Sequence, residues 1–427
     1  MTIKLGLVSP EYFSYKKIKG KLVPTSSHGG LGFLTKIKAQ YLAQAGYEVH
    51  VFTFLDSFDY SHNSPTEITE DGVKLHLITE SNRIGRNIVS TGIKSIIHPI
   101  RENKQFDEII NKEDLDIIQF EDTPTTLLMS VHKDIPKILI FQDPFDYYDA
   151  NLLADSDQNY LNLLSGHLEP YIIKSHPNNF LKESMINFMH KKNFVKPVKK
   201  IILKSQHLNI YTEADFIGKK VKNLFKLNYT PKTIRNPIPI YNKKYQKTEK
   251  PSFVWIARWD PQKRPDMMLH IASKLPKYEF YMIGSATNNA KNYISIEKRL
   301  TSEFSAYPNI HILGFIDEEM KKKYIGEAWG LINTSIREGL PITFLEALAE
   351  GTPIVSYVDP DNYTSKFGVK VDYTIESFKQ GIEKTVSERL YEKIGNIERE
   401  YAIKEHGLTV IMNKQINLYE EMLEHRK

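Results

Sequence analysis

The chain has 427 residues, 57 Lys and Arg against 52 Asp and Glu for a formal net charge of +5, and no cysteine. Its length exceeds a single domain of about 100 to 200 residues and predicts two α/β cores. The absent cysteine excludes a disulfide framework, a thiolate zinc site and a thiol nucleophile. The mild, dispersed charge excludes nucleic acid as the expected partner, and no apolar run reaches the roughly 20 residues of a membrane span.

The first predicted element is a buried strand over Lys4 to Val8, in M-T-I-K-L-G-L-V-S-P. Its apolar stretch is short and closed by a proline, so it reads as a strand and not a signal peptide, and a cytoplasmic location is expected. A helix over Leu31 to Ala45, with Leu34, Ile37, Tyr41 and Leu42 inward, stops at Gly46, and Glu48 to Phe54 forms the next strand. Between strand and helix lies S-S-H-G-G-L-G, where Gly29 and Gly30 would let the backbone approach a phosphate, or would simply open the helix. The spacing G-G-x-G, about 20 residues beyond the preceding strand, does not fit the dinucleotide fingerprint G-x-G-x-x-G.

Asp116 to Pro124 reads as a strand emerging at Glu121 and Asp122, and Lys137 to Pro144 as another emerging at Gln142 and Asp143. Such strand ends face the ligand cleft of an open α/β sheet. Glu121, Asp122 and Asp143 are therefore candidates to orient an acceptor hydroxyl or touch a sugar, with His28 a further one; solvated or helix-capping carboxylates are the alternative. Along His190 to Lys204, Lys191, Lys192, Lys196, Lys199, Lys200 and Lys204 interleave with Phe194, Val195, Val198 and Ile201. This stretch suits either an anionic membrane surface or a solvated helix face, and Pro197 interrupts any long amphipathic helix.

I-R-N-P-I-P-I at 234–240 and the polar Y-N-K-K-Y-Q-K-T-E-K after it mark a domain end and a linker. Next, F-V-W-I-A-R-W-D-P-Q-K-R-P-D-M-M-L from Phe253 to Leu269 gives a strand ending at Arg258 and a helix with Asp266 as N-cap. Arg258 offers a planar fork and Lys263 a point charge, and together they can neutralise a diphosphate leaving group without a metal. The richest stretch is S-I-R-E-G-L-P-I-T-F-L-E-A-L-A-E-G-T-P-I-V-S-Y, from Ser335 to Tyr357. Leu331 to Thr334 is a strand end, Arg337 to Leu340 a loop and Pro341 the first helical turn. Ile342, Leu345, Leu348 and Ala349 mark one buried face, Gly351 the stop, and Thr352 to Val358 the next strand. The helix start favours phosphate through its unpaired N–H groups and dipole, and Thr343 adds a hydroxyl. Glu338 and Glu346 flank that anion site, where carboxylates are tolerated if they accept hydrogen bonds from ribose or hexose hydroxyls. Two solvated glutamates are the alternative.

Together with Y-M-I-G-S at 281–285 and N-I-H-I-L-G-F-I-D at 309–317, these segments resemble the retaining glycosyltransferases of GT-B type, family 4 or group 1. The resemblance spans nearly the whole chain, and its specific motifs lie in the C-terminal half. It implies two Rossmann-like α/β domains facing across a cleft: an acceptor-side domain over 1–236, a linker over 237–250, a donor-binding domain over 251–404, and a C-terminal helix over 405–427 crossing back onto the first domain. It implies that Arg258 and Lys263 hold the donor diphosphate, Glu346 the ribose hydroxyls and Glu338 the transferred sugar. Leu340, Ile342 and Thr343 would meet the phosphate through backbone amides, Gly314 and Phe315 would border the nucleobase, and Gly29 and Gly30 would face the donor. With Glu338, Asp143 and Glu121 are the expected catalytic candidates. Histidines common in the family at the positions of Glu121 and Gln142 are replaced, so acceptor-side hydrogen bonding must differ. The implied reaction is retaining transfer of a hexosyl group from a nucleotide-diphosphate sugar, UDP-sugar favoured over GDP-mannose, to a hydroxyl of a sugar or lipid-linked acceptor. The donor is then a co-substrate, no cofactor or metal is required, and peripheral contact with the inner face of a membrane falls near Lys191 to Lys204.

Three rivals compete with this reading. D-L-D at 114–116, D-S-D at 155–157 and D-P-D at 359–361 imitate D-x-D metal sites, yet Asp116 starts a strand, and Asp155 and Asp157 lie in a polar loop. A non-catalytic sugar-nucleotide-binding module would bind a nucleoside diphosphate without turnover. A GT-B-fold nucleotide-sugar epimerase would need base chemistry for which the chain shows no motif.

Overall fold

A computed structural model describes residues 2–10, 12, 14–18, 21–26, 29–55, 67–79, 104–122, 134–142, 196–205, 207–259, 262–286 and 291–424. These form two compact units. The first takes the described residues up to 142, then 196–205, 207–237 and 411–424; the second takes the described residues within 238–410.

The first unit runs β1 (Lys4–Val8), a hairpin of β2 (Ser14–Ile18) and β3 (Lys21–Ser26), α1 (Gly30–Gln44), β4 (Glu48–Leu55), β5 (Glu67–Glu70), β6 (Val73–Thr79), α2 (104–113), β7 (Ile117–Glu121), β8 (Lys137–Phe141), α3 (Lys196–Lys204), β9 (Leu208–Thr212), α4 (Asp215–Phe225) and β10 (Lys232–Thr233). Its sheet has the order β10-β9-β8-β7-β1-β4-β6-β5, parallel throughout except that β5 runs antiparallel to β6. The central strands are unbroken apolar runs, such as Ile138 to Phe141, because helices cover both faces of a parallel sheet.

Helix α1 departs from the predicted inward face. Leu34 and Leu42 are buried, but Thr35 and Lys38 are buried with them, while Ile37 and Tyr41 are only half-buried. The rotation follows from a charge: Lys38 Nζ lies 2.8 Å from Glu121 Oε1, and both side chains are 1% exposed. Gln119 Nε2 donates to Glu121 Oε1 at 2.7 Å and Gln142 Nε2 to Oε2 at 2.6 Å. The Tyr419 hydroxyl, whose ionisation burial opposes, donates to Gln119 Oε1 at 2.7 Å. The pair is thus surrounded by donors, without which two buried charges would be costly.

The second unit runs β11 (Ser252–Ile256), α5 (Pro265–Ser273), β12 (Glu279–Ile283), α6 (Lys291–Phe304), β13 (Ile310–Gly314), α7 (Glu318–Glu327), β14 (Gly330–Asn333), α8 (Ile342–Ala349), β15 (Ile354–Ser356), α9 (Tyr363–Lys366), β16 (Gly368–Lys370), α10 (Ile375–Ser387) and α11 (Leu390–His406). A final helix, α12 (Leu408–Glu424), follows directly and from Ile411 onward belongs to the first unit. The second sheet is wholly parallel in the order β13-β12-β11-β14-β15-β16. Counted along the chain, that is the 3-2-1-4-5-6 order of a Rossmann fold. Strand β15 is shorter than the Thr352 to Val358 expected, and α8 buries Phe344 and Ala347 where Ile342 was expected. Among the described residues no helix is long and apolar enough to cross a membrane.

The buried pair sets a stability test. Lys38→Met, leaving Glu121 buried and uncompensated, should cost about 3–5 kcal/mol in denaturant unfolding, and adding Glu121→Leu should recover most of it. A double variant no more stable than the single one would show that packing, not the stranded charge, is responsible.

Candidate functional site

In a 3-2-1-4-5-6 sheet, strand order reverses between the first and fourth strands, and the loops leaving their carboxyl ends diverge to leave a crevice. Here those strands are β11 and β14, paired through Phe253–Gly330 and Val254–Leu331. The loop after β11 carries Arg258 and Lys263, and the loop after β14 carries Glu338.

The two loops are stitched together. Trp255 Nε1 donates to Thr334 Oγ1 at 2.9 Å, and that hydroxyl points at the carbonyls of Lys263 and Arg264, 2.7 and 3.0 Å away. The Ile336 N–H donates to the Gln262 carbonyl at 3.0 Å, and Gln262 Nε2 donates to the Arg337 carbonyl at 3.0 Å. On this frame Lys263 Nζ donates to Glu338 Oε1 and Oε2 at 2.6 and 2.8 Å, with both side chains largely buried. A sequence-predicted cation and carboxylate, 75 residues apart, therefore form one ion pair. Arg258 lies just past β11 with an exposed side chain.

Asp266 is not the N-cap of the following helix. Arg264 holds that position with φ 54°, Pro265 follows it, and the Asp266 carboxylate accepts from Arg264 Nε and Nη2 at 2.9 and 2.6 Å. Arg264 is fully buried, and its Nη1 also reaches the Tyr373 hydroxyl at 3.4 Å. The aspartate is used to neutralise a buried guanidinium that turns the chain from the Lys263 loop into α5.

Helix α8 starts at Ile342, with Pro341 at its N-cap and no side-chain cap. Phe344 N bonds back to the Pro341 carbonyl at 3.0 Å, which leaves Ile342 and Thr343 heading the helix, where N–H groups lack intrahelical acceptors. Leu340 is buried in the approach to this turn. One turn further on, Glu346 lies on the same side of the helix as Ile342. Its Oε1 is 2.7 Å from Lys321 Nζ, which is also 2.7 Å from Glu318 Oε2. Burial pushes the Glu346 carboxyl above the usual range, and Lys321 opposes that shift.

Gly314 ends β13 with φ 65°, and its carbonyl accepts from Gly284 N at 2.8 Å. Gly284 has φ 114°, and a Cβ there would stand 2.0 Å from the Ala257 carbonyl oxygen, so only glycine lets β12 end this close to the Arg258 loop. Phe315 is 66% exposed at the same carboxyl end of the sheet.

The candidates of the first unit are placed differently. Gly29 is the N-cap of α1 with φ 98°, and Gly30 is the first helical residue, both exposed. Glu121 was expected as an open strand-end carboxylate; instead it is buried against Lys38, Gln119 and Gln142. The chain there provides a cation where the expectation had only solvent or an acceptor. Asp122 follows it with φ 69° and donates its N–H to the Ile140 carbonyl at 2.9 Å. Asp143, His28, Asp155, Asp157 and Lys191 to Val195 lie outside the described residues.

The D-x-D triplets that are described serve local structure: Asp116 Oδ2 accepts from Lys4 N at 2.8 Å, and Asp359 Oδ1 from Ser365 N at 3.1 Å. Among the described residues, Glu48, His50 and Glu113 form a group that could hold a metal ion, yet Lys74 Nζ stands 2.6 Å from Glu48 and 3.6 Å from Glu113 and already supplies a cation. Sequence reasoning missed Lys321, Thr334 and Gln262. Lys321 sits in the run E-E-M-K-K-K, which resembles any solvated surface, and only its i,i+3 spacing from Glu318 behind an Asp317 cap hinted at an inward direction.

Residues 238–401 match the family model for glycosyl transferases group 1. The O-antigen biosynthesis glycosyltransferase WbnH of Escherichia coli is 26% identical over 123 residues, which is 29% of this chain and 33% of that protein, so the likeness spans about a third of its length. Sucrose-phosphate synthase from Thermosynechococcus elongatus is similar in structure with a TM-score of 0.68 at 13% identity, covering 99% of this chain and 100% of that one. HepE from Anabaena, solved in complex with UDP and glucose, gives 0.64 at 10% identity, covering 98% of this chain and 100% of that one. At such identities these structures establish the fold, and the family model speaks for the unit that holds the Lys263–Glu338 pair. The second unit thus matches the group 1 glycosyl transferase model, within a chain whose fold is that of GT-B glycosyltransferases.

Proposed function

We propose that this protein is a retaining glycosyltransferase that moves a hexosyl group from a nucleotide-diphosphate sugar to a hydroxyl of a sugar or lipid-linked acceptor without a metal. The observation that carries the reading is the Lys263–Glu338 ion pair held where β11 and β14 end, beside the start of α8. A UDP-sugar is the favoured donor, in keeping with the UDP seen in Anabaena HepE, and GDP-mannose is the alternative.

In this reading the diphosphate lies against the Ile342 and Thr343 amides with Arg258 and Lys263 beside it. Lys263 exchanges its carboxylate partner for phosphate, and Glu338 accepts instead from a hydroxyl of the transferred sugar. As the anomeric carbon separates from the leaving phosphate oxygen, negative charge grows on the diphosphate, where these donors are already aimed. The acceptor oxygen bonds to the anomeric carbon on the same face, and its proton passes to the departing phosphate. A preorganised donor of this kind is worth about 2.7–4 kcal/mol. No carboxylate nucleophile is needed, which accords with a Glu338 engaged by a lysine and a Glu121 shut in the core.

A peripheral membrane contact belongs to the same reading. In α3, Lys196 and Lys200 are exposed and Leu203 is 61% exposed, a basic and apolar combination suited to an anionic surface. Pelleting with vesicles containing an anionic phospholipid should fall several-fold in Lys200→Glu/Leu203→Glu; pelleting as for the unaltered protein would contradict the contact.

The pair gives a sharper test. Glu338→Gln should lower transfer about 100-fold or more while nucleoside diphosphate affinity holds or tightens, because the carboxylate that competes for Lys263 is gone. Lys263→Ala should weaken a nucleoside diphosphate about tenfold or more and the bare nucleoside little. Equal loss of transfer and diphosphate binding in Glu338→Gln would contradict the assignment. Transfer should also persist in excess chelator, and its abolition there would contradict the metal-independent mechanism.

A further inference from the structure

The carboxylate expected to meet the donor ribose does not stand alone. Glu346 is largely buried, one turn into α8, and burial without compensation drives a carboxyl to its neutral form. Its partner comes from another helix. Lys321 of α7 puts Nζ 2.7 Å from Glu346 Oε1 and is itself held 2.7 Å from Glu318 Oε2, one turn back on α7. Helix α7 is anchored at its start, where the Asp317 side chain accepts from Met320 N at 2.7 Å. Asp317 follows Gly314 and Phe315 by only three and two residues, so the segment assigned to the nucleobase leads directly into the helix that carries Lys321. Among the described residues, Glu318, Tyr241 and Glu350 also act on the Glu346 and Lys321 pair, and none of these three is a cation.

Resting on the donor-site reading above, we propose that Lys321 is a positioning residue that holds Glu346 as a charged, fixed acceptor for the ribose hydroxyls of the donor nucleotide. A ribose hydroxyl donates more strongly to a carboxylate than to a neutral carboxyl, and a carboxylate tied at one oxygen offers the other in one direction. Glu318 keeps Lys321 in place when the ribose arrives, so the cation does not compete with the ligand for the second oxygen. Removing the lysine leaves Glu346 buried near another glutamate, and its carboxyl shifts further toward the neutral form. Ligand affinity should then rise with pH as its proton is lost, because the ionised form is the better acceptor.

The test begins with a thermal-shift comparison of UDP, GDP and ADP, and the most stabilising of them becomes the probe; a ligand at 100 times its Kd stabilises by about 2.7 kcal/mol. Calorimetry then compares that nucleotide with its 2′,3′-dideoxy analogue in the unaltered protein, Glu346→Gln, Lys321→Met and Lys321→Arg. Lys321→Met should weaken the ribonucleotide about tenfold or more and the dideoxy analogue little, as should Glu346→Gln, and Lys321→Arg should restore most of the difference. Between about pH 7 and 8.5, above the phosphate's own titration near 6, affinity should climb for Lys321→Met and stay level for the unaltered protein. If Glu346→Gln removes ribose discrimination but Lys321→Met lowers both ligands equally or neither, the positioning role is overturned and the ribose assignment stands. If Glu346→Gln keeps full ribose discrimination, both fall together.

Discussion

The neighbourhood of β11 and β14 is the constraint on which the candidate site depends. Consecutive strands would have joined through short crossovers on one side of the sheet. Because the fourth strand instead returns to pair with the first, the loops after Ile256 and Asn333 leave the same edge in diverging directions. Trp255, Thr334 and Gln262 then fix their spacing, so that Lys263 and Glu338 meet within hydrogen-bond distance. The glycine at 284 completes the frame by letting β12 end against the Ala257 carbonyl.

Four ion pairs among the described residues handle buried charge in the same way. Lys38 with Glu121, Arg264 with Asp266, Lys263 with Glu338 and Lys321 with Glu346 are each largely or fully removed from water, and each cation has a specific carboxylate. What separates them is surroundings. Glu121 has donors on both oxygens, and Asp266 holds a bidentate grip on a fully buried arginine, so these pairs are closed and serve the fold. Lys263 and Glu338 meet at the carboxyl edge of the sheet, beside amides at the head of α8 whose acceptors lie outside the helix. Such a pair can open for an anion and a hydroxyl.

Parts of the second unit were legible in the sequence because β11 and β15 are apolar runs and the starts of α5 and α8 carry proline. The loop ahead of Ile342 follows from the apolar pattern and Pro341, whereas the side of the helix bearing Glu346 does not, because Ile342, one turn before it, was expected inward and is only half-buried. Polar contacts between distant segments were not legible. Asp266 looks like an N-cap by position, but Arg264 adopts a left-handed backbone conformation that only the fold reveals. Glu121 looks like an open strand end because nothing local in its sequence announces Lys38, 83 residues earlier, and a helix face turned toward a buried lysine breaks the apolar pattern by which such faces are read. Lys321 was hidden for the same reason, one lysine among three in a row.

The central claim is that a resting ion pair divides on donor binding, the lysine going to phosphate and the glutamate to sugar. A crystal structure with an intact nucleotide-diphosphate sugar would measure this directly. The account predicts the diphosphate on the Ile342 and Thr343 amides, Lys263 Nζ turned from Glu338 to a phosphate oxygen, and the Glu338 carboxylate on a hydroxyl of the sugar. A donor bound with the Lys263–Glu338 pair still closed, or with its diphosphate away from the start of α8, would contradict it.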